Sequence, residues 1–409
     1  MGSRIPALAF PSFISVATSV VASLAGCVAW GGRPSSRLSS RFHEAQIRTI
    51  AVVIDAGDQS RVPAEQVMNT LRLMLLQRGY RPVLLPSLAA PSQAAMVAGA
   101  DALLSVVLTF QWQTVMQTRG RPLYDHTVDL ARISIAATMR RTSDGRVLLN
   151  GKFVQGGIDL MTGKLPEVIE DEWSTVVRGL SATLSALPPG LAFAPGGARV
   201  RHLSVTLAPD EDYRRARGWE RQASDRITGA SHILEVEFGL RLELKDTQSW
   251  VSADQPHTLA EHLASMRRQV PGDSTDIVLG MTGQAAFKPD SSRVVGYGVS
   301  EPFGRTVLVR QSGPTTDIPL LADILESATI AREVAHLFGA LGPDDPRSGD
   351  VLGFDDRTRR ILVLTRERSF DAGELRNVNT DSLRQIYRTA GSEGAAMLTI
   401  LEARLVREE

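Results

Sequence analysis

Arg332, Glu333 and His336 are the residues whose types and spacing could do chemistry together, within the stretch TIAREVAHLFGA over 329–340. On a helix Arg332 and His336, four residues apart, share a face, with Glu333 beside them. A guanidinium stays protonated and offers only donors, so Arg332 cannot ligate a metal. One imidazole with distant carboxylates makes a weak zinc site. Asp344 and Asp345 could bring oxygen to His336, but Gly342-Pro343-Asp344-Asp345-Pro346 also reads as turn chemistry. Among the other histidines, His257 and His262 are five apart, which does not put both on one helix face. Nothing in the sequence brings His202 and His232 together.

The element that must hold these residues is a helix over Leu320 to Phe338. Leu321, Ile324, Leu325, Ala328, Ala331, Ala335 and Phe338 recur at helical spacing and make a core face. Pro319 suits the first turn and Gly339 the last. On that pattern alone His336 is a core or cap histidine, and a bare E-x-x-H arises by accident roughly once in a few chains of this size.

The longer run from Glu333 through His336 to Gly339 resembles the active-site helix of the metzincin zinc peptidases, H-E-x-x-H-x-x-G-x-x-H or D. The resemblance implies that Glu333 is a general base, His336 the second zinc ligand, and Gly339 the turn that lets a third ligand arrive. The first ligand position holds Arg332 and the third holds Gly342. It therefore implies a degenerate scaffold, with Arg332 standing in for the metal within ion-pair reach of Glu333, Asp344 or Asp345. The family's edge strand, which aligns a peptide substrate, corresponds to Val294-Val295-Gly296-Tyr297-Gly298. Gly296, Tyr297 and Gly298 are thus the expected peptide-binding residues, by β-pairing. Leu352 takes the place of the family's Met beneath the metal. The resemblance spans roughly 200–370.

The amino terminus carries the other strong signal. A short apolar run over 14–23 follows Arg4 and leads into Leu24-Ala25-Gly26-Cys27. That is a secretory pattern, too short for a membrane span. Leu-Ala-Gly-Cys resembles the bacterial lipoprotein signal, which implies cleavage after residue 26 and lipidation of Cys27, the chain's single cysteine. Val28 after the Cys implies the outer membrane, with the protein facing the periplasm.

The chain has 409 residues, 43% hydrophobic and formally neutral, which is enough for two domains and shows no basic excess for nucleic acid. The expected class is α/β. A lipid anchor and tether over 27–46 precedes an α/β sandwich over 47–187. The Pro- and Gly-dense linker 188–199 leads to an α+β metzincin-like domain over 200–409. Gly79-Tyr80, Gly99–Leu104 and Asp144–Leu148 give the first domain a weak resemblance to TolB and curli-pore type envelope lipoproteins. In the second, a helix after Asp210 is expected to run to Phe238 with an interruption at Gly229, and the tail after Asp371 shows one helix, Ser382 to Arg388.

Two functions follow. One is an outer-membrane lipoprotein whose non-catalytic, metzincin-like domain binds a peptide or envelope protein without a cofactor. The alternative is a membrane-anchored zinc peptidase with a rearranged site.

Overall fold

A computed structural model describes residues 34–57, 62–86, 90–117, 126–156, 172–190, 199–252, 258–272, 274–284, 297–311, 319–342, 352, 354–370, 375 and 377–408. The chain is mixed α/β, in two halves that each wrap helices on one mixed sheet. The first half runs β1 (Ser35–Leu38), β2 (Thr49–Asp55), α1 (Ala64–Gln77), β3 (Arg81–Leu84), α2 (Pro91–Val97), β4 (Ala102–Gln117), β5 (His126–Arg141), β6 (Val147–Gly156) and α3 (Glu172–Thr183). Its strands stand in the order β1-β6-β5-β4-β2-β3, with β2 parallel to β3 and β4 and the other pairs antiparallel. Alternate residues such as Leu104, Val106, Leu108, Ile133, Ile135 and Ala137 are buried, and they share a cluster with Leu71 and Met74 of α1 and Val177 and Leu180 of α3.

Ser35–Leu38, read from composition as part of a tether, is a strand instead. It pairs with β6 from Ser35 opposite Lys152 to Leu38 opposite Leu149, and Ser36 donates to the Thr183 carbonyl at 2.9 Å. No local pattern marks it, because the unfilled edge of β6 is what makes it extended.

The second half runs β7 (Arg201–Pro209), a single helical turn Glu211–Arg214, α4 (Trp219–Phe238), β8 (Leu240–Thr247), α5 (Leu259–Gln269), β9 (Ile277–Thr282), β10 (Gly298–Ser300), β11 (Thr306–Arg310), α6 (Pro319–Leu337), α7 (Asp356–Thr365), α8 (Thr380–Arg388) and α9 (Gly391–Glu408). The sheet order is β10-β11-β9-β7-β8, parallel except for β10 at its edge. α4 and α6 cover one face, where Val307 and Val309 meet Ala331 and Val334; α5 covers the other, where Met266 meets Leu308 and Val278.

The helix break falls at Gly218, not at Gly229. Gly218 takes φ +76° as the cap of α4, whereas Gly229 lies inside it. A Cβ on Gly229 would come 2.7 Å from Ser327 Oγ, so the missing side chain is what lets α4 and α6 approach.

The two halves also pack on each other. α1 lies against α4, with Arg72 3.3 Å from Glu237 and His232 Nδ1 2.7 Å from the Gln77 carbonyl oxygen. The end of the linker is docked too, since Gly190 N–H donates to the Arg78 carbonyl at 2.5 Å. One apolar cluster runs through both halves.

Candidate functional site

Glu333 lies on the face of α6 that meets β10. A Cβ on Gly298 would come 2.6 Å from Glu333 Cγ and 2.8 Å from Thr329 Cγ2, so strand and helix touch through the glycine. The Ser300 hydroxyl donates to Glu333 Oε2 at 2.7 Å, and Glu333 is 2% exposed. Arg332 Nε stands 3.8 Å from Oε1 and His336 Nδ1 3.5 Å from Oε2.

Burial pushes the Glu333 carboxyl up, but the His336 contact and charge, the Ser300 hydroxyl and the Arg332 guanidinium together hold it below the ordinary carboxylate value. Glu333 is therefore an ionised carboxylate in a closed polar cluster. Arg332 spans from a buried Nε to solvent, with its side chain 36% exposed. His336 Nε2 is buried without a hydrogen-bond partner among the described residues.

The carboxyl end of α6 is closed by the tail, which the sequence left almost blank. Gly339 takes φ +83°, and a Cβ there would run into the Tyr387 hydroxyl and the Phe303 ring. Tyr387, fully buried on α8, donates to the Gly339 carbonyl at 2.7 Å, and burial raises its phenol well above the usual value. Gly342, at the third ligand position, donates its N–H to Glu393 of α9 at 2.6 Å. α9 itself was not foreseen. Leu352 is buried, 1% exposed.

These residues do not fit zinc. The first ligand position carries a guanidinium, the third a backbone N–H already bonded to Glu393, and no group of three His, Cys, Asp or Glu converges among the described residues. Three of the described histidines go elsewhere, and His257 lies outside the described residues. His202 Nδ1 lies 2.5 Å from Glu243 Oε1, His232 is held by Gln77, and His262 packs edge-on against Trp250. Cys27, Gly296, Asp344 and Asp345 lie outside the described residues.

β10 is the edge of its sheet, and among the described residues no strand pairs on its outer side. The Tyr297 carbonyl accepts from Arg310 N–H at 2.8 Å, so the next residue and the next but two, Gly298 and Ser300, turn their own N–H and C=O outward. Those outward groups belong to the two residues that touch Glu333. Tyr297, just before the strand, is 44% exposed. A separate cleft of about 430 Å³ opens between Gly190 and the second half, beside His232 and the Glu235–Arg241 pair, whose two bonds measure 2.7 and 2.6 Å.

No family model and no curated protein matches the chain. Among solved structures, the chain is similar to archaemetzincin from Methanopyrus kandleri at 16% identity and TM-score 0.32, over 41% of this chain and 97% of that one. It is similar to a PelC dodecamer subunit from Paraburkholderia phytofirmans at 13% identity and TM-score 0.27, over 38% of this chain and 99% of that one. Lipoprotein GNA1162 from Neisseria meningitidis is similar at 15% identity and TM-score 0.21, over 27% of this chain and 83% of that one.

Proposed function

We propose that the chain is an envelope lipoprotein, anchored in the outer membrane through Cys27, whose second half uses a peptidase-like scaffold to bind an extended peptide without cutting it. The observation that carries this is the Ser300–Glu333 bond at 2.7 Å. It ties the edge strand to the helix and occupies the carboxylate oxygen that a general base would turn toward water. What remains open beside it is main chain, the outward N–H and C=O of Gly298 and Ser300, which suits strand addition.

Hydrogen exchange tests the binding. A pool of random hexapeptides added to the full chain is expected to protect the amides of residues 297–301, and to be recovered uncut. Protection confined to other segments would remove the edge strand from the proposal. For the anchor, Cys27→Ser is expected to leave the chain uncleaved or soluble in the periplasm, and a Ser variant still processed and membrane-bound would end that part.

A membrane-anchored zinc peptidase is the second reading, and one observation favours it. His336 Nε2 is buried and unpartnered among the described residues, as a vacated ligand atom would be. Elemental analysis of the purified chain separates the two.

A further inference from the structure

Arg310 closes β11, and it is 8% exposed. Its Nε is buried without a hydrogen-bond partner, and no ion pair reaches the guanidinium among the described residues. The other buried arginines are answered. Arg226 holds Glu326 at 2.6 Å and Asp323 at 3.2 Å, and Arg368 donates to the Phe303 and Gly304 carbonyls. A buried cation without a counter-charge is costly, and a protein keeps one where something else brings the anion. Burial holds its pKa below the usual guanidinium value, and Tyr297 is the neighbour that offsets this.

Its position says where that anion arrives. Arg310 stands opposite Tyr297 across the β10–β11 pair, so both side chains leave the sheet on the α5 face. Glu333 is on the other face, under Gly298. Arg310 is also level with Thr282 at the carboxyl ends of parallel β11 and β9, where open α/β sheets take their ligands. Asp210, which follows β7 at the same end of the sheet, is already engaged. It accepts from Thr282 Oγ1 at 2.5 Å, Tyr213 N–H at 2.7 Å and Gly283 N–H at 3.1 Å.

We propose that Arg310, with the exposed Tyr297 beside it, is a carboxylate-binding site that takes the C-terminal carboxylate of the peptide lying along β10. The site rests on the edge-strand reading above. A guanidinium grips a carboxylate with two parallel hydrogen bonds, and a setting shielded from water strengthens them. Because Arg310, at the end of β11, stands opposite Tyr297 just before β10, the peptide's carboxyl end lies over Tyr297 and its chain runs antiparallel to β10.

The test uses two fluorescein-labelled pools of random hexapeptides, one with free carboxyl ends and one amidated, titrated into the full chain by anisotropy. The free acids are expected to bind about tenfold more tightly or better. Arg310→Gln should erase that difference, while Arg310→Lys keeps part of it. Arg310→Gln should also melt at or above the wild-type temperature, because no partner is left stranded. Equal binding of the two pools, with residues 297–301 still protected, would leave the edge strand standing and overturn this site. An Arg310→Gln chain that melts lower and still prefers the acids would make Arg310 a structural cation and overturn it too. If neither pool binds, edge strand and site fall together.

Discussion

At Glu333 three neighbours, His336, Ser300 and Arg332, keep a buried carboxylate charged. His336 does most of that, through its contact at 3.5 Å and its charge; Ser300 adds a hydrogen bond at 2.7 Å, and Arg332 at 3.8 Å contributes from a partly solvated position. Ser300→Ala should therefore cost about 1–2 kcal/mol of stability. Arg332→Ala should cost less than about 1 kcal/mol, as a pair open to water is weak. Urea midpoints of the two variants check the order. The pH dependence has a fixed sign. The Glu333 pKa is lowered from 4.5 in the folded chain, so its contribution is complete above the unfolded value and is lost as pH falls through the folded one. Glu333→Gln should flatten stability in that acid limb alone, measured by urea unfolding from pH 7 downward. Of this cluster, Arg332, Glu333 and His336 were legible, because they lie in one helix at fixed spacing. Ser300 was not, since only strand pairing brings it from 33 residues away.

At the scale of elements, the end of α6 depends on a tail helix that no motif marked. Gly339→Ala meets both a positive φ and the Tyr387 and Phe303 side chains, and should destabilise by about 1–3 kcal/mol. Tyr387→Phe, which strands the Gly339 carbonyl, should cost about 1–2 kcal/mol. Thermal melts of both variants would show it, and a neutral Tyr387→Phe would mean the tail does not support the site. The long periodic elements were readable, and the core helix was placed within a residue or so, at Pro319–Leu337. β1 escaped because its neighbour decides it, β6 extending Ser35–Leu38, and Gly229 was misread as a break because its close approach to Ser327, not a turn, is what calls for a glycine there.

Across the whole molecule, composition reads 188–199 as a linker between two domains, yet the halves share a cluster of buried apolar residues and the Arg72–Glu237 pair. A protease cut within 191–198 should therefore leave two fragments that co-elute in gel filtration. Separation of the fragments at micromolar concentration would show that the contact between α1 and α4 is too weak to hold. Composition marks the Pro- and Gly-dense stretch, but only the packing of α1 on α4 shows that the halves on either side of it touch.

The most direct measurement is native mass spectrometry of the full chain equilibrated with equimolar zinc at neutral pH. If Glu333, Ser300, Arg332 and His336 form a closed polar cluster, the chain keeps its metal-free mass, and the His336→Ala chain is metal-free in the same way. One zinc retained per chain, and lost in His336→Ala, would contradict the non-catalytic site and restore the peptidase.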